Sequence, residues 1–440
     1  MARVHAIHTG FDRLIPKFRR IAEDDELAQE IGRAFGPMHS SGQGENKTMP
    51  AGFTYLGQLI DHDLTFDPSP GLQAPRNPNA VRNFRTAAFD LDSIYGFGPN
   101  VSSHLYDPND PRKLFLGPGR ADLPRLQNDI AVIGDPRNDE NIIVSQLLTA
   151  FINFHNEAVD QTGGTFEEAQ QLVRWHYQWI VLHQYLPKVV GDSTQNILRN
   201  SSGRWRQASI PLEFSLAAFR FGHSQIRARY DINSDVQGKA RLILPDLAGH
   251  RRLRPIDRVE WPFFFDLKNG NRPQPSLPIH PFLSPPCLSM PPGSVGPTNS
   301  PVELSLAYRD IRRGQLRELP AAHEAAAKLH IPQRLIVPME SVWARIKARQ
   351  VRSGSRHDPS GKDVPLWLYI LFEAQDFGNS EHLGPLGGRI VSDVCVGLLE
   401  SAPESFLSQN PNWTPTFGST PGDFDIADLI RMAEAQKNRP

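Results

Sequence analysis

Apolar residues return at helical spacing through Val144, Leu147, Leu148, Phe151, Ile152 and Ala158, after a polar start at Asn138-Asp139. Strand-like alternation is scarce elsewhere, so the chain can bury its apolar surface only as packed helices. Thr165-Phe166-Glu167-Glu168 forms a capping box, opening a segment predicted to run to Tyr185, just before Pro187. Leu216, Phe219 and His223 share one face of a further segment, and Ile426, Leu429, Ile430 and Ala433 mark an amphipathic C-terminal helix. Prolines crowd residues 269–301, where long regular structure is excluded. A domain linker is one reading of this stretch. A long surface connection within one domain is preferred, because helical signals flank it and no composition shift follows. The expected architecture is mainly α with very little β, a single domain over residues 1–440.

The bulk charge points to no polyanionic partner: 47 basic against 48 acidic residues give −1, so neither nucleic acid nor an anionic membrane is implied. Cys287 and Cys395 are the only cysteines. A disulfide scaffold and cysteine-rich zinc or iron–sulfur sites are thereby excluded, while a single pairing between the two stays open. Met1 to Arg20 is charged throughout and has no signal-peptide core. The apolar run Leu366–Phe372 is too short to cross a bilayer. The chain reads as soluble, either cytoplasmic or secreted without a recognisable signal, with a monomer as the default.

Four polar clusters carry the chemistry. In Gly57-Gln58-Leu59-Ile60-Asp61-His62-Asp63, a helix would set Gln58, Asp61 and His62 on one face and turn Asp63 toward a different ligand. Alone, this pattern is equally a solvated helix surface. Gly134-Asp135-Pro136-Arg137-Asn138-Asp139-Glu140 presents an arginine fixed by a turn, with Glu140 about a turn on; by itself Glu140 is an ordinary acid near a helix start. Phe219-Arg220-Phe221-Gly222-His223 places a histidine among aromatics, more often a core residue than a ligand. Arg309-Asp310-Ile311-Arg312-Arg313-Gly314 is a charge run that proves nothing alone.

In this order and spacing the four segments resemble the mammalian-type haem peroxidases (the peroxidase–cyclooxygenase superfamily, myeloperoxidase-like), and particularly bacterial members. Leu366-Trp-Leu-Tyr-Ile-Leu371 and Leu383-Gly-Pro-Leu-Gly-Gly-Arg-Ile-Val391 resemble that family's C-terminal helices. The resemblance runs from about residue 40 to the end. It implies a helical domain around a buried haem b, hydrogen peroxide as oxidant, and small aromatic or halide donors oxidised through a ferryl intermediate. His62 would be the distal acid and base, Arg137 its charged partner, and Gln58 the residue holding distal water. His223 would be the axial iron ligand. Its other ring nitrogen falls to Asp310, where the family has asparagine, which implies a more electron-rich iron. Arg220 and Arg313 would pair with haem propionates.

Asp61 and Glu140 match the carboxylates that the family esterifies to haem. Asn141 replaces the methionine of the relative that adds a sulfonium link, so up to two esters and no sulfonium bond are expected. A calcium site is also implied: Thr86, Ala88, Asp90 and Asp92 offer oxygens at alternate residues, Asp63 would complete it, and Asp92 stands where many relatives have serine. The competing readings are a fatty-acid dioxygenase, an inactive haem-binding protein and, weakest, a zinc hydrolase. Dioxygenases carry a tyrosine three residues before the proximal histidine, where this chain has Arg220. Tyr177 and Tyr185 could still sit near a channel. The joint presence of Gln58, His62, Arg137 and His223 argues against an inactive binder, and no His-Glu-x-x-His motif supports zinc.

Overall fold

The structure, a computed structural model, describes residues 10–40, 44–67, 72, 82–191, 205–236, 238–292, 294–295, 298, 300–353 and 358–439. The first nine residues of the charged N-terminal stretch lie outside this set. Helices dominate: α1 (Asp25–Gly32), α2 (Gly52–Leu64), α3 (Ile142–Thr162), α4 (Phe166–Ile180), α5 (Leu306–Leu316), α6 (Met339–Ser353), α7 (Leu366–Phe377), α8 (Pro385–Ser401) and α9 (Ile426–Lys437), with shorter turns between. Strands among the described residues are two-residue pairings. β1 (Phe11–Asp12) lies parallel to β2 (Ile210–Pro211), and β3 (Arg229–Tyr230) antiparallel to β4 (Arg241–Leu242). The mainly-α expectation is met.

α3 is the central element. Every residue from Ile142 to Val159 is buried, and the polar Gln146, Thr149, Asn153 and Asn156 among them donate hydrogen bonds to backbone carbonyls. Its start is Asn141, whose side chain accepts the Val144 N–H, and its end is Gly163 at φ 63°. The helix thus begins a turn later than the polar pair Asn138-Asp139 suggested, because Pro136–Asp139 form a separate 3-10 turn. Around α3 pack α2, α4 and α9.

Two predicted boundaries move. The capping box of α4 is present, but the chain stays helical past Tyr185, through a π-turn at Val181–Tyr185 into a helix at Leu186–Val190. Pro187 lies two residues beyond that π-turn, within the continuing helical run. The segment ending at His223 is no continuous α-helix: it is a short helix, Leu212–Ser215, followed by a 3-10 stretch, Ala218–Gln225. That stretch packs against α2, α7 and α8, so tertiary contact rather than helical periodicity fixes its side chains.

The described part of the proline-rich stretch alternates between exposed and buried residues. Ile279, Leu283 and Cys287 are buried, and its backbone bonds to Ser40, Asn46, Ala51 and Ser380. Prolines forbid a regular ladder, so the polar backbone is satisfied by single cross-chain bonds instead. Cys287 and Cys395 are both buried and free, without a disulfide between them. No helix among the described residues is long and apolar enough to cross a membrane.

The fold also braces the turn that carries Arg137. The Gly249 N–H donates to the Glu140 carbonyl at 3.0 Å and the His250 N–H to the Asp139 carbonyl at 2.9 Å. A Cβ on Gly249 would lie 1.7 Å from the Asp139 oxygen, an overlap with backbone that only movement of the turn relieves. Gly249→Ala is therefore expected to destabilise the protein by about 1–3 kcal/mol, read as a lower Tm; an unchanged Tm contradicts this bracing role.

Candidate functional site

The sequence cluster on α2 divides as helical geometry requires. His62 and Asp63 are buried, while Gln58 and Asp61 keep part of their surface. His62 Nδ1 lies 2.8 Å from Asn138 Oδ1. An amide oxygen can only accept, so Nδ1 carries the proton and Nε2 is left as a lone-pair base. Burial, aided by the Arg137 charge, lowers the imidazole pKa to about 4. His62 is therefore neutral at ordinary pH.

Arg137 is fixed from several sides. Its backbone N–H and Nε donate to Asp135 Oδ1 at 2.9 and 3.1 Å, and its Nη2 to Asp135 Oδ2 at 2.7 Å. Nη2 also donates to the Thr65 carbonyl at 2.5 Å and the His62 carbonyl at 3.2 Å. Its guanidinium lies over the Phe66 ring at 4.7 Å. Burial opposes a charge on Asp135, but Arg137 and Arg85 override it and hold the carboxyl well below the usual range. Gln58 donates to Glu140 at 3.4 Å and accepts from Asn141 at 3.3 Å. Thr65 Oγ1 donates to Asp61 Oδ1 at 3.1 Å.

Glu140 keeps accessible surface, and the protein packed around its carboxyl raises its pKa to about 7. Arg137 is likewise partly accessible, with its side chain 22% exposed.

His223 sits in the 3-10 stretch, with Nδ1 2.5 Å from Asp310 Oδ2; Asp310 is only 1% exposed. Asp310 is thus the side chain in contact with His223 Nδ1. Arg220 Nη1 stands 3.7 Å from Asp310 Oδ1, and its Nε donates to the Ser215 carbonyl. Arg313, also enclosed, has its pKa lowered to about 9 by burial and by Arg220 and Arg309. It has no ion-pair partner among the described residues, so an anionic group supplied from outside the chain suits it.

Asp63, Asp90 and Asp92 bring carboxylate oxygens within 4.8 Å of one another. Both oxygens of Asp63 are buried without a well-formed hydrogen bond, although the Leu91 N–H and the Tyr177 hydroxyl lie close to them, and Oδ1 of Asp92 also lacks one. Burial and the neighbouring Asp90 and Asp92 charges push the Asp63 carboxyl well above the usual range. Thr86 Oγ1 donates to Asp90 at 2.7 Å, and the half-buried Ala88 lies in the same loop. Three carboxylates at this spacing, with oxygens of Asp63 and Asp92 left over, fit a hard cation.

Sequence reasoning missed the roles of Asp135, Asn138 and Arg85. Asp135 precedes a proline at a helix start, a signal for capping. Nothing in the sequence signals the Arg85 contact with Asp135, since 50 residues separate them. Tyr185 packs on Phe219 and its hydroxyl abuts Gly57. Tyr177 lies away from the proximal stretch, against Phe89 and Phe151.

Comparison with known proteins yields a consistent group. The sequence model of the animal haem peroxidase family matches residues 67–251. The chain is 30% identical to the human probable oxidoreductase PXDNL over 173 residues, covering 33% of this chain and 12% of that protein. It is 25% identical to rat thyroid peroxidase over 202 residues, 38% of this chain and 22% of the relative. The matches thus span well under two thirds of the relatives' lengths. In three dimensions it is similar to peroxidase A of Dictyostelium discoideum, with TM-score 0.66 and 14% identity over 99% of this chain and 94% of that one. The fatty acid alpha-dioxygenase of Oryza sativa superposes with TM-score 0.61 and 14% identity, covering 98% and 79%.

Proposed function

We propose that this chain, which the sequence model of the animal haem peroxidase family matches over residues 67–251, is a haem-dependent peroxidase that reduces hydrogen peroxide and oxidises small aromatic or halide donors. The observation that carries the reading is the setting of His62, buried with Nδ1 2.8 Å from Asn138 Oδ1, an arrangement that suits a neutral imidazole with Nε2 as the proton acceptor. Haem b, when bound, supplies the iron at which the peroxide O–O bond is cleaved. His223 would hold the iron, with Asp310 accepting from its Nδ1–H, and Arg220 and Arg313 would hold the propionates.

His62 Nε2 takes a proton from one peroxide oxygen and returns it to the departing one. Arg137, charged at every working pH, stabilises the negative charge that develops during cleavage. Asp135 and the Thr65 carbonyl keep that guanidinium from reorienting. Gln58 orients water beside Glu140. Arg220, three residues before His223, speaks against the dioxygenase alternative, because an arginine cannot supply the tyrosyl group that chemistry uses. The cation site at Asp63, Asp90 and Asp92, with Thr86 and the Ala88 carbonyl, would take calcium.

In stopped-flow mixing with hydrogen peroxide, the Soret band should change within milliseconds. Its second-order rate constant should be flat from pH 7 to 5 and fall about tenfold per unit below pH 4, as His62 gains its proton. His62→Ala and Arg137→Ala should each slow the step by roughly 100-fold or more. A His62→Ala variant as fast as wild type would remove the proposed role.

Asp61 and Glu140 are proposed to esterify the haem, with no sulfonium link. Asn141 is committed instead to capping α3. After peroxide treatment, acid–acetone extraction should leave haem on the polypeptide; complete extraction contradicts the esters.

Asp310 takes more of the His223 proton than an amide would, enriching the iron and lowering its reduction potential. Asp310→Asn should raise the Fe(III)/Fe(II) potential, and spectroelectrochemistry showing no upward shift would count against this.

A further inference from the structure

We propose that Arg85 couples the cation site to the distal pocket by dividing itself between Asp92 and Asp135, so that cation binding sets how Asp135 holds Arg137. The inference rests on the reading of both sites given above and adds the connection between them.

Arg85 is nearly buried, with a side chain 10% exposed. Its Nη2 donates to Asp135 Oδ2 at 2.5 Å and to the Gly134 carbonyl at 3.2 Å, and its Nε to Asp135 Oδ2 at 3.2 Å. The same Nε lies 3.6 Å from Asp92 Oδ1, too long for a hydrogen bond. That Asp92 oxygen is buried and has no donor. Arg85 thus stands between two carboxylates, fully bonded to one and within reach of the other.

On the far side, Arg137 Nη2 uses the same Asp135 Oδ2 at 2.7 Å. The two guanidinium groups also share Phe66, at 5.2 and 4.7 Å from its ring centre. One oxygen therefore serves two competing cations. Arg85 contacts Asp135 and approaches Asp92, which itself lies beside Asp63 and Asp90. A divalent cation held by that acidic group would withdraw Asp92 from the competition for Arg85.

The direction follows from this competition. With a divalent cation engaged, Asp92 ceases to attract Arg85, which stays on Asp135 Oδ2 and leaves Arg137 anchored mainly through Oδ1. Its Nη2 keeps the Thr65 and His62 carbonyls as acceptors, while the guanidinium as a whole is held less tightly to Asp135 and can turn toward an anion at the distal site. Without the cation, the uncompensated Asp92 draws Arg85 away, Oδ2 belongs to Arg137 alone, and that guanidinium is held back. Because binding linkage is reciprocal, an anion in the distal pocket must tighten the cation site by the same factor.

The test measures cyanide affinity of the full-length holoenzyme from its Soret change, with saturating calcium and after chelation. Calcium affinity is then measured by calorimetry with and without saturating cyanide. Wild type is expected to show one coupling factor of roughly tenfold in both directions. In Arg85→Gln it should fall to within about twofold of unity, and in Arg85→Lys, which keeps the charge without the fork, it should lie between the two. A thermal melt checks that each variant is folded, and either variant alone decides the matter. A variant factor equal to that of wild type overturns the proposal, placing any coupling in α2 through adjacent His62 and Asp63. Absence of coupling in wild type, with both ligands bound, overturns it too. If calcium gives no binding heat, or cyanide no spectral change, the underlying reading of that site fails first and the coupling falls with it.

Discussion

The carboxylate of Asp135 is the interaction on which the distal side depends. It is fully buried and receives the side chains of Arg85 and Arg137 together with the Arg137 backbone N–H. Removing one partner from such a buried set typically costs 3–5 kcal/mol, because a charge is left uncompensated. The arrangement contributes less to net stability than to geometry. It fixes Arg137 beside α2, which in turn sets Asn138 against His62. The backbone of residues 249 and 250 clamps the same turn from the other side. Reactivity at His62 is thus a property of several segments far apart in sequence.

The proximal side repeats the device with different residues. Asp310, on α5, is buried and bonded to His223, while Arg220, Arg309 and Arg313 gather around it. Each histidine therefore has a partner that fixes its ring through Nδ1. The two partners differ in kind: a neutral amide beside His62 favours a proton-accepting imidazole, and a carboxylate beside His223 enriches it in electrons. That asymmetry suits one ring for moving protons and the other for holding a metal.

Much of this was legible in the sequence because it rests on local pattern. The helical period of α3, the capping box of α4 and the split of α2 into a face with His62 and a face with Asp63 all follow from residue spacing. So did the pairing of Asp310 with His223, by resemblance and counting. What the sequence did not reveal depends on contacts between distant residues. The 3-10 form of Ala218–Gln225 arises from packing against α2, α7 and α8. The buried course of Ile279 and Leu283 is held by single backbone bonds to Ser380 and to Met38 and Ser40. Asn138 was adjacent to a recognised arginine, yet its role emerged only from its distance to His62.

The central claim is that His223 holds a haem iron and shares its Nδ1 proton with Asp310. Resonance Raman spectroscopy of the ferrous, full-length protein, purified from haem-supplemented cells, tests it directly. The account predicts one haem per chain and an iron–histidine stretch that is lost in His223→Ala and shifts to lower frequency in Asp310→Asn. Folded protein without haem, or a stretch that persists in His223→Ala, would contradict it.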